Sequence, residues 1–160
     1  MSIEKTNAAR LLDKAKIHYE LISYEVDESD LSAIHVAAQL NEPTELVFKT
    51  LVLKGDKTGH FLCVIPGAEE LDLKKASKIS GNKSCDLIPM KELLSITDYI
   101  RGTYSPIGMK KHFPTYIHES CLTLAKIYIS AGKRGLQLLV APQDLITEVK
   151  GTVGFLILTA

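Results

Sequence analysis

The sequence predicts a mixed α/β fold in which strands come in runs and do not alternate strictly with helices. Three observations predict it. Apolar residues recur at helical spacing in separate stretches along the chain. Two apolar, β-rich runs, "LVFKTLVLK" and "HFLCVIP", flank the turn-rich "GDKTG" and predict a hairpin. Neither GxGxxG nor GxxxxGK[ST] occurs, which removes the two commonest phosphate-loop readings, and the runs of strands without strict βαβ alternation argue against a doubly wound nucleotide fold.

Each element has its own signal. Ala8, Leu11, Leu12 and Ala15 follow the i, i+3, i+4, i+7 pattern of an amphipathic helix. "HYELISYEV" reads as a strand, and "DESDLS" as a polar loop ending in cap-type residues. Ala33, Val36, Ala37 and Leu40 form a second helix, closed by Asn41 and Pro43. After the hairpin, "LDLKKASKIS" is a helix with Asp72 as cap and Gly81 just past its end. Pro89 opens a helix with Met90, Leu93, Leu94 and Thr97 on one face. "TYIHES", "KIYIS" and "LQLLVA" are short strands, and Pro142 opens the helix "PQDLITEVK". "VGFLIL" is either a last strand or a terminal segment packed on the core.

The chain has 160 residues, of which 46% are hydrophobic, enough for one domain spanning 1–160 with a real core. Lysine plus arginine balance aspartate plus glutamate at 19 each, which argues against a polyanion binder held by bulk charge, DNA included, and leaves room for a local basic patch. Cys63, Cys85 and Cys121 are odd in number and lack CxxC spacing, so a reducing cytoplasm is expected and a disulfide framework is not. "MSIEKTNAARLLDKAK" lacks the apolar run of a signal peptide, and no stretch approaches the ~20 residues of a membrane span.

Lys49 is the first chemical anomaly. In a strand it shares a face with Val47, Leu51 and Leu53, while Phe48, Thr50 and Val52 occupy the other. An ammonium between two apolar faces either snorkels to water or points into a pocket that holds an anionic or carbonyl partner. "GTYSPIGMKK" places Gly102, Pro106 and Gly108 in a stiff turn followed by Lys110 and Lys111. "SAGKRGLQ" flanks Lys133 and Arg134 with Gly132 and Gly135 between two strands. By composition alone, both loops are ordinary surface turns. The five histidines show no HExxH spacing, GxSxG is absent, and the His118–Cys121 pair alone lacks the ligands of a zinc site. No metal and no cofactor is expected.

Taken together, "VFKTLVL", "ELDLKKASKISG", "YSPIGMKK" and "YISAGKRGLQLLVAPQDL" resemble the YbaK/EbsC family of free-standing aminoacyl-tRNA deacylases, related to the editing domain of bacterial prolyl-tRNA synthetase. The resemblance spans nearly the whole chain, with the motifs in the family's order. It implies a curved, barrel-like mixed sheet surrounded by helices. It also implies a catalytic group of Lys49, Gly102 and Ser105, and a substrate pocket of Tyr24, Thr50, Pro106, Gly108, Ser130, Gly132 and Gln137. Lys110, Lys111, Lys133 and Arg134 would then meet tRNA phosphates. The implied substrate is mischarged aminoacyl-tRNA, Cys-tRNA(Pro) foremost, with prolyl-tRNA synthetase as a candidate transient partner. Ala-tRNA(Pro) deacylation and non-catalytic binding of tRNA or a synthetase are the alternatives. Gln137 departs from the family: many cysteine-editing relatives carry aspartate there.

Overall fold

The computed structural model describes residues 4–100, 103–109 and 111–159. Helices are α1 (Asn7–Lys14), α2 (Ala33–Leu40), α3 (Leu73–Ser80), α4 (Met90–Thr97) and α5 (Pro142–Val149). Strands are β1 (Tyr19–Ser23), β2 (Phe48–Gly55), β3 (Gly59–Pro66), β4 (Cys85–Leu87), β5 (Thr115–His118), β6 (Ile127–Lys133), β7 (Leu136–Val140) and β8 (Thr152–Gly154).

The caps explain where several helices begin and end. The hydroxyls of Thr6 and Ser32 accept from the backbone N–H of Ala9 and His35, and the Asp72 carboxylate accepts from Lys74 and Lys75. Asn41 and Gly81 close α2 and α3 in the left-handed conformation, as helix C-termini favour.

The strands form two sheets, ordered β1-β7-β6 and β4-β2-β3-β5-β8. The "GDKTG" hairpin forms in register from Phe48↔Pro66 to Gly55↔Gly59. β5 and β8 add to β3 in parallel, a pairing that needs connections too long to be read from local pattern. "VGFLIL" divides between the two expected roles. Its first residues pair as β8, and Leu156 beyond them is fully buried.

The expected barrel is corrected: the two sheets do not close. They meet at a parallel bridge between Val47 and Tyr128, beside the first half of β2, which β4 does not reach. The outer strands β4 and β8 have three residues each, too short to carry the ladder around to the other sheet.

Phe48 and Val64 join Ile117, Ile129, Leu138 and Leu145 in the largest apolar cluster, between the sheets and under α1 and α5. On the opposite face of β2, Val47 packs with α2, and Leu51 and Leu53 pack with the α3 cluster. Lys49 lies between these two clusters on that face.

His118 holds the C-terminal segment. Its Nδ1 accepts from the Leu156 backbone N–H at 3.1 Å, and its ring packs edge-on against Phe155. Lys75 sits over the Phe155 ring and donates to the Ile157 carbonyl. Burial is the main cause holding His118 below its ordinary 6.5; Glu119 and Glu69 pull the other way, and Lys75 adds to the lowering. A base depressed on folding takes up protons in the unfolded chain first. Stability is therefore complete above the unfolded value near 6.5 and declines as pH falls toward the folded value. The melting temperature should fall between pH 7 and 5 more steeply for the wild type than for His118→Gln, which keeps an acceptor but cannot titrate; parallel profiles would remove His118 from this role.

Candidate active site

A cavity of about 270 Å³ opens where the sheets meet. Its walls come from four places: Tyr24 after β1, residues 31–33 with Val36 at α2, residues 47–51 of β2, and Ser130 with Gln137 from β6 and β7. Gly67 and Tyr104 complete it. Strand register explains the grouping. Gln137 lies opposite both Ile22 and Ser130, and Tyr24 is held beside β7 by its N–H to the Gly135 carbonyl at 2.9 Å.

Lys49 reaches this cavity half-buried, with no hydrogen bond or ion pair among the described residues. Desolvation is the main cause lowering its pKa below the ordinary 10.5, and the charges of Glu70 and Glu69 partly oppose it. Gln137 is only 6% exposed, and its Oε1 is buried without a hydrogen-bond partner among the described residues. A small cavity thus carries an unpaired cation and an unsatisfied acceptor. Water or a polar ligand can satisfy both.

The other predicted site residues fall into separate groups. Ser105 is fully buried, and its hydroxyl accepts from the Ile107 N–H at 3.3 Å. Pro106, Gly108 and Lys111 line a second cavity of about 200 Å³ together with Leu11, Phe113 and Val149. The Ser130 hydroxyl donates to the Thr103 carbonyl and accepts from the Gly132 N–H, so it is engaged within the protein although it lines the Lys49 cavity. Lys133 is exposed at the β6–β7 turn, and Arg134 pairs with Glu28 at 2.7 Å. Gly102 and Lys110 lie outside the described residues.

Tyr104 and the α2 entrance, Leu31 to Val36, were not singled out from sequence, yet they line the cavity. Tyr104 had a signal, since it stands inside the quoted "YSPIGMKK". For the α2 entrance the family resemblance implies a pocket-lining residue within residues 27–35 without specifying which. A larger cavity of about 480 Å³ lies at the far end of β2, lined by Lys54, Asp56, His60 and Asp86 among others. No predicted site residue lines it.

Among the described residues, no three His, Cys, Asp or Glu side chains gather as metal ligands. None of the three cysteines lines the Lys49 cavity, and all three are buried and free. Burial pushes the Cys63 thiol up to about 12 and raises that of Cys121. No histidine lines the cavity either. Fold and site therefore define a mixed α/β protein whose cavity presents an ammonium and an amide oxygen, with neither cysteine nor histidine in its lining.

The aminoacyl-tRNA editing domain family matches residues 28–148, and the chain belongs to that family. It is 46% identical over 148 residues to the Enterococcus faecalis (strain ATCC 700802 / V583) protein EbsC, covering 92% of this chain and 90% of that one. EbsC's name proposes a Cys-tRNA(Pro)/Cys-tRNA(Cys) deacylase, and the YbaK/EbsC resemblance is borne out. Among solved structures, a proposed trans-editing enzyme for prolyl-tRNA synthetase superposes with TM-score 0.83 at 22% identity, covering 98% of this chain and all 100% of that one. The hypothetical protein APE2540 superposes with TM-score 0.84 at 19% identity over 92% and 96% of the two chains. At these identities the structural matches establish the fold. No helix among the described residues is long and apolar enough to cross a membrane.

Proposed function

We propose that this aminoacyl-tRNA deacylase removes cysteine from mischarged tRNA, Cys-tRNA(Pro) foremost, and that the substrate's own thiol cleaves the ester. The observation that carries this reading is the unpaired Lys49 ammonium beside the orphan Gln137 oxygen, in a cavity lined by neither cysteine nor histidine. An aminoacyl ester already carries a good leaving group, so orientation and stabilisation of the developing oxyanion are the main demands on the protein. The cysteinyl sulfur attacks the carbonyl carbon as its proton leaves. The bond from that carbon to the tRNA ribose oxygen breaks, and the ribose oxygen takes up a proton. The products are free tRNA and a thiolactone, which water then opens to cysteine.

In this scheme Lys49 is the electrostatic group. Tyr24, Thr50, Tyr104 and Ser130 shape the wall around the aminoacyl end. Ser105 acts from inside the adjoining loop through Ile107; Gly102 is proposed as a catalytic position from the family resemblance alone. Lys110, Lys111, Lys133 and the Arg134 side chain, once released from Glu28, are the candidate phosphate contacts. A balanced net charge suits weak and transient tRNA binding, with prolyl-tRNA synthetase holding the substrate in a transient complex.

A panel of tRNAs charged with cysteine, alanine, serine and proline tests the assignment. Cysteinyl esters should be cleaved fastest. Faster release of alanine would favour Ala-tRNA(Pro) editing, and tRNA binding without cleavage of any ester would make the protein a binding module.

Gln137 offers a finer test. Its amide oxygen attracts an α-ammonium less strongly than a carboxylate would. Gln137→Asp should lower KM for cysteinyl-tRNA severalfold and leave KM for the N-acetylated ester nearly unchanged. An equal effect on both esters would show that position 137 does not read the amine.

A further inference from the structure

The loop between α4 and β5 reaches the cavity through Tyr104, yet Tyr104 belongs to no helix or strand. Among the described residues, two hydrogen bonds tie this loop to other parts of the fold on either side of Tyr104. On one side, the Ser130 hydroxyl donates to the Thr103 carbonyl at 3.0 Å. On the other, the Tyr99 phenol donates to the Ile107 carbonyl at 2.7 Å. Tyr99 itself is fixed at the end of α4, where its N–H donates to the Thr97 hydroxyl, which in turn donates to the Leu93 carbonyl.

Tyr99 also joins the two glycine turns that the sequence displays separately. Gly108 and Gly132 have φ of +79° and +93°. A Cβ on Gly108 would stand 3.0 Å from the Tyr99 hydroxyl, and one on Gly132 would stand 3.0 Å from the ring edge. The missing side chains at both turns leave room for the same tyrosine.

We propose that Tyr99 is a positioning residue for deacylation: its phenol locks the Ile107 carbonyl and thereby sets Tyr104 in the wall beside Lys49. Tyr99 does not line the cavity. It acts through the loop, and Ser130 is its counterpart at the Thr103 end. The activity part of this inference rests on the deacylase reading above; the structural part does not.

Tyr99→Phe separates the two. The variant removes one oxygen and keeps the ring between the glycine turns. Hydrogen exchange of the 103–109 segment should accelerate about tenfold, the size expected of one buried hydrogen bond, with β2 unchanged. The kcat for cysteinyl-tRNA, per folded molecule, should fall about tenfold while KM stays within about twofold, because misplaced walls affect the reaction more than capture. Should Tyr99→Phe melt below the assay temperature, Ser130→Ala frees the other end of the loop and must accelerate the same segment. Unchanged exchange at 103–109 overturns the lock. Faster exchange with wild-type kcat overturns the positioning role. If the wild type cleaves no aminoacyl-tRNA, the deacylase reading fails, and hydrogen exchange still decides whether Tyr99 holds the loop.

Discussion

Lys49→Ala should lower deacylation by about 100-fold or more while the protein remains folded. The expected size follows from removing one preorganised charge from the site, where such groups contribute about 10²–10³ in rate. The fold should survive because a methyl suits the position between the α2 and α3 clusters, and because burial disfavours the charged lysine there. The unfolded chain binds a proton at this lysine more tightly than the folded one does. Lys49 therefore costs stability at neutral pH, and that cost disappears above its unfolded value near 10.5. The alanine variant should melt at or above the wild-type temperature at pH 7. Lys49→Arg should also be nearly inactive, since a planar fork does not replace a compact ammonium in a cavity of about 270 Å³. The wild-type rate should fall on the alkaline side below pH 10.5, the direction set by desolvation of Lys49. Wild-type turnover by Lys49→Ala would leave the lysine a strand residue with no part in the chemistry.

Replacing the cysteinyl group of the substrate by serinyl should slow cleavage by about 100-fold, while removal of the protein's own thiols should not. A hydroxyl is a far weaker nucleophile than a thiol at neutral pH, so the substrate change removes the attacking group. The protein's thiols are poor candidates on geometry alone. Cys63 and Cys121 are fully buried, and the Cys85 sulfur accepts from the Ser77 hydroxyl at 3.1 Å. Cys63→Ala, Cys85→Ala and Cys121→Ala, singly and combined, should keep nearly the wild-type kcat per folded molecule. Each will lower stability, because each leaves a small void in a packed core. Rapid cleavage of the serinyl ester would point to activated water, and a folded but inactive single-cysteine variant would identify a protein nucleophile.

The sequence by itself determined the helices with strong periodicity and caps, the β2–β3 hairpin, and the oddity of a lysine in an apolar strand. These are local properties: the spacing of apolar residues, a turn-rich connection, a cap residue beside the first turn. The motif order also identified the family. Tertiary structure decided the rest. It decided that β5 and β8 join β3 in parallel and that the two sheets stop short of a barrel. It separated Pro106, Gly108 and Lys111 from Lys49 and turned the Ser105 hydroxyl into its own loop. It left the Gln137 oxygen unpaired in the cavity and engaged the Ser130 hydroxyl elsewhere. The reason is physical. A side chain's role depends on which donors and acceptors long-range packing brings within about 3 Å. Ser130 meets the Thr103 carbonyl across 27 positions of chain, and Arg134 meets Glu28 across 106, distances at which no local pattern carries a signal.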